Sequence, residues 1–353
     1  MALLEFTDDG IYCAAADVYI DPWKPVKRAL ITHGHADHSR WGNKYYLCTD
    51  TAAPVIRYRL SLDAKTVESV PYGKTVNING VKFSFHPAGH IIGSAQIRVE
   101  HKGEVWVASG DYKIQSDGLS EDFEPVKCHA FITESTFGLP VYNWVPQQEV
   151  FDDINQWWRD NAAAGKVTVL TGYSLGKAQR ILQNLDPSIG PIFTHGAVEN
   201  INEVIRAQGI DLNPTTRWTR ESPKGSATGG LVIAPPAAVN SPWIKNFKNH
   251  SIGIASGWMT LRGARRRRSV DRGFVLSDHA DWNGLLTAIE ACSCEQVFVT
   301  HGYTSLFQRY LTEQGYKAAV VSTEYEGELG ELGESSTESE SDAGLAAAAE
   351  SKG

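Results

Sequence analysis

The run His33-Gly34-His35-Ala36-Asp37-His38, set directly behind the apolar stretch RALIT, constrains this chain more than any other feature. Four side chains able to ligate a metal fall within six residues, on a loop leaving a buried strand. There they can turn toward one point without disturbing the core. Solvated loop histidines do not account for three imidazoles and a carboxylate at this spacing.

The surrounding sequence alternates short apolar runs with turn residues. VYI (18–20), RALIT (28–32), KYYLCT (44–49), VKFSFH (81–86), AQIRVE (95–100), EVWVAS (104–109) and HAFIT (129–133) read as strands bounded by Gly, Pro, Asn or Asp. Val150, Ile154, Trp157 and Trp158 then recur at three and four residues, which predicts a helix between 145 and 161. Strands at 166–173, 191–196 and 229–236 alternate with helices at 177–184 and 198–208, in a repeated βαβ pattern. SIGIASG, GFVLS, QVFVTHG and KAAVVS read as further strands, with helices at 283–290 and 304–314. A length of 353 residues suits two ordinary domains, or one large α/β domain with an insertion. Thr-His-Gly ends three of these strands, at His33, His195 and His301.

HGHADH matches the HxHxDH signature of the metallo-β-lactamase superfamily, and the chain resembles that superfamily at further places. His90 in PAGHIIGS and Asp111 in ASGDYK each stand at a strand end before a small-residue turn, where the superfamily places its third histidine and its bridging aspartate. Asp21, after VYI, resembles the aspartate that supports the ligand loop from behind. The resemblance implies an α/β fold, the metallo-β-lactamase αββα sandwich. It implies that His33, His35 and His90 hold one metal, that Asp37 and His38 hold a second with His301, and that Asp111 bridges them. Asp37 counts among the catalytic groups as well. Imidazoles suit zinc and the carboxylates admit manganese, so ligand type leaves both open. Two such ions would stabilise the attacking and leaving oxygens and bring the pKa of bound water from ~15.7 to ~7.

That signature alone fits thioesterases, glyoxalases and lactam hydrolases too. TESTFG with Glu134, LSDHADW with His279 and VFVTHG with His301 resemble the acidic motif and two histidine motifs of the β-CASP nucleases. This likeness implies a metallo-β-lactamase domain in two segments, 1–144 and 275–325, with an inserted α/β β-CASP domain at 145–274. Phosphodiester cleavage needs a proton for the leaving alkoxide. His279 is the candidate donor, and Glu134 fixes its tautomer. The compact length and the sequence TEYEGE at 323–328 are similar to the ligase-associated DNA exonucleases of bacteria. Such a resemblance implies a DNA exonuclease trimming single-stranded ends, linked to an ATP-dependent DNA ligase, with DNA favoured over RNA. Two alternatives stay open. One is an RNA endonuclease or 3′-end processing enzyme of the same group, since eukaryotic DNA-repair members often lack a counterpart of His301. The other is a catalytically silent nucleic-acid-binding scaffold.

GYSLGKA at 172–178 departs from the phosphate-loop pattern by one residue before Gly176 and by Ala178 in place of Ser or Thr, which excludes a P-loop ATPase. Ser174 and Lys177, at a helix start, are instead candidate phosphate contacts. Arg265, Arg266, Arg267 and Arg268 form a basic run before the His279 motif and are candidates for tracking phosphates. Trp157, Trp158, Trp218, Trp243 and Trp258 have the chemistry to stack on bases, although core positions suit most of them. The formal charge of −8 is concentrated at residues 326–353, which hold eight acids and one base and so carry −7 of it. With almost no large apolar side chain, that stretch reads as a disordered acidic tail. The five cysteines are odd in number and lack metal-knuckle spacing, as expected of reduced thiols. Neither a basic-then-apolar leader nor a membrane-length apolar run is present, so a cytoplasmic location without membrane contact is expected.

Overall fold

The computed structural model describes residues 2–261 and 270–325. The four arginines at 265–268 and the acidic stretch from 326 lie outside the described residues. The chain divides into two compact units, residues 2–144 with 278–325, and residues 145–277.

The first unit opens with β1 (Glu5–Thr7), β2 (Gly10–Cys13), β3 (Val18–Ile20), β4 (Arg28–Leu30), β5 (Tyr45–Thr49), α1 (Ala53–Leu60) and β6 (Val67–Val70). These six strands form one sheet in chain order, antiparallel as far as β3 and parallel from there. Next come β7 (Val76–Ile78), β8 (Val81–Pro87), β9 (Ala95–His101), β10 (Glu104–Ala108) and β11 (Ala130–Ser135).

In the second unit α2 (Gln147–Ala163), β12 (Val167–Thr171), α3 (Lys177–Asn184), β13 (Ile192–Thr194) and α4 (Gly196–Arg206) succeed one another. Then come β14 (Thr216–Arg217), β15 (Leu231–Ala234), α5 (Pro236–Val239), β16 (His250–Ala255) and β17 (Arg272–Phe274). The chain returns to the first unit through α6 (Trp282–Cys292), β18 (Gln296–Gly302), α7 (Thr304–Glu313) and β19 (Lys317–Val320). The second sheet of the first unit has the order β19-β18-β11-β10-β9-β8-β7, parallel from β19 to β10 and antiparallel beyond.

Alternation along these strands sorts their side chains into separate apolar layers. Ile11, Val18, Ile20 and Leu30 of one sheet meet Phe83, Phe85, Ile97, Val99 and Ile132 of the other. The opposite face of the first sheet packs Ala29, Tyr46 and Cys48 against Ala53 and Ile56 of α1. The opposite face of the second packs Val107, Phe131, Val297 and Val299 against Leu285 and Ile289 of α6 and Phe307 and Leu311 of α7. Pro54 suits the first turn of α1, where its missing N–H has no helical partner to lose. Asp281 caps α6, its Oδ1 accepting from Gly284 N–H at 2.8 Å.

The second unit is built on a wholly parallel sheet, β14-β13-β15-β12-β16-β17. Its central strands VTVLT and LVIA are buried throughout, the pattern of a sheet covered on both faces. Of the segment expected as the strand GFVLS, Gly273 and Phe274 pair with β16, and residues 275–277 leave the sheet. All five cysteines are buried thiols. No helix among the described residues is long and apolar enough to cross a membrane.

Candidate metal centre and proton-transfer pair

Strand ends of the first unit deliver the candidate residues to one place. His33 to His38 come after β4, His90 lies on the connection from β8 to β9, and Asp111 comes after β10. Glu134 stands near the end of β11, His279 precedes α6, and His301 lies at the end of β18. Because β10, β11 and β18 are parallel neighbours, their carboxyl ends share one edge of the sheet, where ligand sites of such sheets gather. Two close backbone approaches need glycine. Gly110 (φ 57°) lies against the Thr32 side chain, and Gly302 (φ 92°) against the Ser135 carbonyl, leaving no room for a Cβ at either.

His33, His35, His90 and Asp111 bring one ligand atom each to within 4.8 Å of one another, as do His38, Asp111 and His301. Asp111 belongs to both sets. Its Oδ2 lies 3.5 Å from His33 Nε2, 3.5 Å from His38 Nε2 and 3.8 Å from His90 Nε2. Its Oδ1 lies 3.0 Å from His301 Nε2. Asp37 is at the rim, with Oδ2 3.7 Å from His38 Nε2 and a side chain 18% exposed.

The rings are held from behind. His38 Nδ1–H donates to Asp21 Oδ2 at 2.8 Å, and His90 Nδ1–H to the Asp278 carbonyl at 2.9 Å. Thr32 Oγ1 donates to Asp21 and so accepts from His33 Nδ1–H at 3.0 Å. Thr300 Oγ1 donates to the Thr133 carbonyl and accepts from His301 Nδ1–H at 3.1 Å. With Nδ1 committed in this way, the Nε2 lone pairs of all four rings turn inward, the tautomer metal-ligating imidazoles adopt. His35 instead presents Nδ1, 3.1 Å from His90 Nε2.

The set passes a test of fit for cations. His33 Nε2 and His38 Nε2 are buried with no hydrogen-bond partner among the described residues, while His301 Nε2 and Asp111 Oδ1 face each other at 3.0 Å. An unsatisfied buried polar atom costs about 1–3 kcal/mol, and a cation bound by lone pairs would offset that cost here. Electrostatics agree. Burial favours a neutral carboxyl at Asp111, but the neighbouring His38, His279 and His301 outweigh it and hold Asp111 well below the usual carboxylate range. Burial and the surrounding imidazoles push His33 well down, and burial with His279 lowers His90. At His38 burial is opposed by Asp111, Asp37 and Asp21, which raise the ring to about 10. That proton and a divalent cation compete for the same lone pair.

Beside this cluster, Glu134 Oε2 accepts from His279 Nδ1–H at 2.8 Å. Glu134 Oε1 accepts from Tyr112 N–H at 2.8 Å, so both carboxylate oxygens are fixed. Both side chains are buried, and Asp111 lies within 4.8 Å of the pair. Trp144 Nε1 donates to the His279 carbonyl at 2.9 Å, and the Phe137 ring stands edge-on to the imidazole at 6.2 Å.

Several supporting groups are not singled out by motif reading. Tyr325 lies in the stretch TEYEGE, which assigns it no role. Thr32 and Thr300 do have a signal, the Thr-His-Gly tripeptide, in which each threonine serves the ring next in the chain. The third copy behaves otherwise. In the second unit Thr194 Oγ1 donates to Glu199 at 2.6 Å, while His195 Nδ1 accepts from Ala197 N–H at 3.1 Å as the cap of α4. Lys177, at the start of α3, is fully buried, and Ser174 is half-buried. Trp157, Trp158, Trp218 and Trp258 are buried, and Trp243 is half-buried.

The chain belongs to the β-CASP group of metallo-β-lactamase-fold proteins. Among its relatives is a probable DNA ligase of Opitutus terrae, 34% identical over 325 residues, covering 91% of this chain and 31% of that protein. An endoribonuclease of Saccharomyces cerevisiae is 32% identical over 122 residues, 34% of this chain and 15% of that protein. Subunit 3 of the cleavage and polyadenylation specificity factor of Dictyostelium discoideum is 30% identical over 131 residues, 36% of this chain and 16% of that one. The chain thus spans less than a third of the length of each. No family model matches the chain. A crystal structure of a protein of unknown function from Enterococcus faecalis shares the fold, with a TM-score of 0.59 over 85% of this chain and 80% of that one at 10% identity.

Proposed function

We propose that the chain is a metal-dependent phosphodiesterase that hydrolyses nucleic acid and trims single-stranded DNA ends. The observation that carries this reading is Asp111, one carboxylate that turns its two oxygens to different imidazole sets and adjoins the Glu134–His279 pair. In this reading His33, His35, His90 and Asp111 would hold one divalent cation, and His38, His301, Asp37 and Asp111 another. Such cations, zinc or manganese by donor type, would lower the pKa of bound water and offset negative charge on the phosphoryl group.

The remaining work falls to the chain's own groups. Glu134 keeps the Nδ1 hydrogen of His279, so that ring delivers its proton from Nε2 to the departing alkoxide. The Tyr112 N–H holds the carboxylate in that orientation, and burial of the pair keeps bulk water from competing for the bond. Asp21, Thr32, Thr300 and the Asp278 carbonyl keep the ligand rings in the receptive tautomer.

Three apolar layers support reading the first unit as an αββα sandwich, with 145–277 as its β-CASP insertion. The choice of DNA is supported by the extent of the likeness to the probable DNA ligase, which covers 91% of the chain, where the endoribonuclease likeness covers 34%. A functional link to an ATP-dependent ligase belongs to the same reading.

The test incubates purified chain with manganese, magnesium or zinc and with single-stranded DNA and RNA of matched sequence, labelled at either end. Progressive loss of DNA ends is expected. Cleavage of RNA alone overturns the DNA assignment in favour of RNA processing, and intact strands with every cation overturn the nuclease reading.

A further inference from the structure

Behind the second cation's half of the centre lies a residue to which no motif assigns a role. Tyr325 stands beyond the last strand and is 8% exposed. Its ring stacks on the His38 imidazole, with centroids 4.3 Å apart and planes inclined by 14°. It meets the His301 ring edge-on at 5.7 Å and 83°. Its hydroxyl donates to the backbone carbonyl of Asp21 at 3.0 Å, and the carboxylate of that aspartate orients His38. Trp23 closes against the phenol from another side, edge-on at 5.6 Å.

The backbone just before it is pinned as well. Arg40 donates to the Glu324 carbonyl at 2.8 Å and to its carboxylate at 3.3 Å. The same guanidinium reaches the carbonyls of Trp23 at 3.3 Å and Asp37 at 3.4 Å. Residues 324 and 325 therefore form a strap tied to the loop that carries Asp37 and His38. Among the described residues, the ring contacts of Tyr325 are with His38, His301 and Trp23, and none is with His33, His35 or His90.

We propose that Tyr325 is the positioning residue for the second cation, holding the planes of His38 and His301 so that their Nε2 atoms converge with Asp111. The inference rests on the two-cation reading above. An imidazole binds a cation along a lone pair lying in the ring plane, so ring tilt moves that lone pair off the shared point. A parallel aromatic ring at van der Waals distance resists such tilt, and the edge contact does the same for His301. The phenol is not itself a ligand. Its hydroxyl hydrogen is committed to Asp21, and burial together with the Asp21, Asp37 and Asp111 charges keeps it protonated.

The experiment measures manganese uptake by the full chain as wild type, Tyr325→Leu and Tyr325→Phe, across buffered concentrations of the ion. Bound metal is counted by elemental analysis, and the coupled Mn–Mn signal is read by electron paramagnetic resonance. Wild type is expected to bind two equivalents. In Tyr325→Leu the second equivalent should need roughly 10- to 100-fold more manganese, the usual cost of losing an outer-shell support, while the first is unchanged. Tyr325→Phe keeps the stacked ring and should restore the coupled signal. Undiminished binding of both equivalents by Tyr325→Leu, or equal weakening of both, overturns the proposal. Should the leucine variant not fold, Arg40→Ala loosens the strap from its other end, and an unchanged second equivalent there is equally decisive against it. Wild-type chain that takes up fewer than two equivalents would instead refute the two-cation reading itself, and this inference with it.

Discussion

Replacing Glu134 by glutamine isolates the proposed proton-transfer pair with the least change of shape. The carboxylate now accepts two hydrogen bonds of 2.8 Å, from His279 Nδ1–H and from Tyr112 N–H. An amide offers one oxygen. If that oxygen stays with Tyr112, the NH2 group faces His279 Nδ1, which must then become an acceptor, and the imidazole hydrogen moves to Nε2. The imidazolium also loses the negative charge beside it. A buried hydrogen bond to a charged group is worth about 1.5–3 kcal/mol, which at 1.36 kcal/mol per decade corresponds to a roughly 10- to 150-fold fall in kcat. Complete inversion of the tautomer sets a ceiling of ~10⁴, the cost of the corresponding change in a Ser-His-Asp triad. The assay is steady-state cleavage of end-labelled single-stranded DNA, with metal content measured on the same preparation. Activity within twofold of wild type would refute the pairing. A fall in bound metal would assign Glu134 to cation binding, a role its position within 4.8 Å of Asp111 and His279 also permits.

The same geometry sets other outcomes. Asp111→Ala removes the carboxylate common to both imidazole sets and should abolish turnover and lower the metal content, whereas His279→Ala should slow cleavage and keep the metal; elemental analysis separates the two. Gly302→Ala drives a Cβ into the Ser135 carbonyl from a left-handed backbone position, so the melting temperature and cleavage rate should both fall, and an unchanged melting temperature would contradict the close approach. His195 is held down to about 4, by burial first and the Arg217 charge second, and its Nδ1 accepts the Ala197 N–H only while neutral. Its folded pKa lies below the unfolded value, so the unfolded chain binds the extra proton and stability declines as pH falls from about 6.5 toward 4. Partial exposure trims the effect to roughly 1–3 kcal/mol. Asparagine at 195 preserves a cap, and urea unfolding of His195→Asn across that range should lose this contribution; an undiminished slope would exclude it.

The strands that carry the candidate ligands were legible in the sequence because each carries its own local signal, an apolar run of period two ended by a small or polar residue. Helices 177–184 and 304–313 were legible in the same way, from apolar spacing and a breaker at each end. Helix α1 was not. Its segment APVIRYRL has a weakly segregated apolar face and a proline that reads as a breaker, and only the buried sheet face above Ala53 and Ile56 makes it a helix. GFVLS shows the converse, since its apolar pattern persists after Phe274 where its neighbour strand β16 has already ended.

The amino-acid sequence alone determined which side chains are able to bind cations or move protons, since imidazole and carboxylate chemistry and their spacing near strand ends are local properties. The role of Asp21 as a support came from the resemblance to the superfamily. The tertiary structure alone decided what three identical Thr-His-Gly tripeptides do, turning His33 and His301 toward Asp111 and His195 onto a helix end. It also brought Tyr325 against Asp21 across 304 residues of chain. Such pairings arise from the order of strands in a sheet, which depends on how every apolar face is covered at once and is written in no single segment.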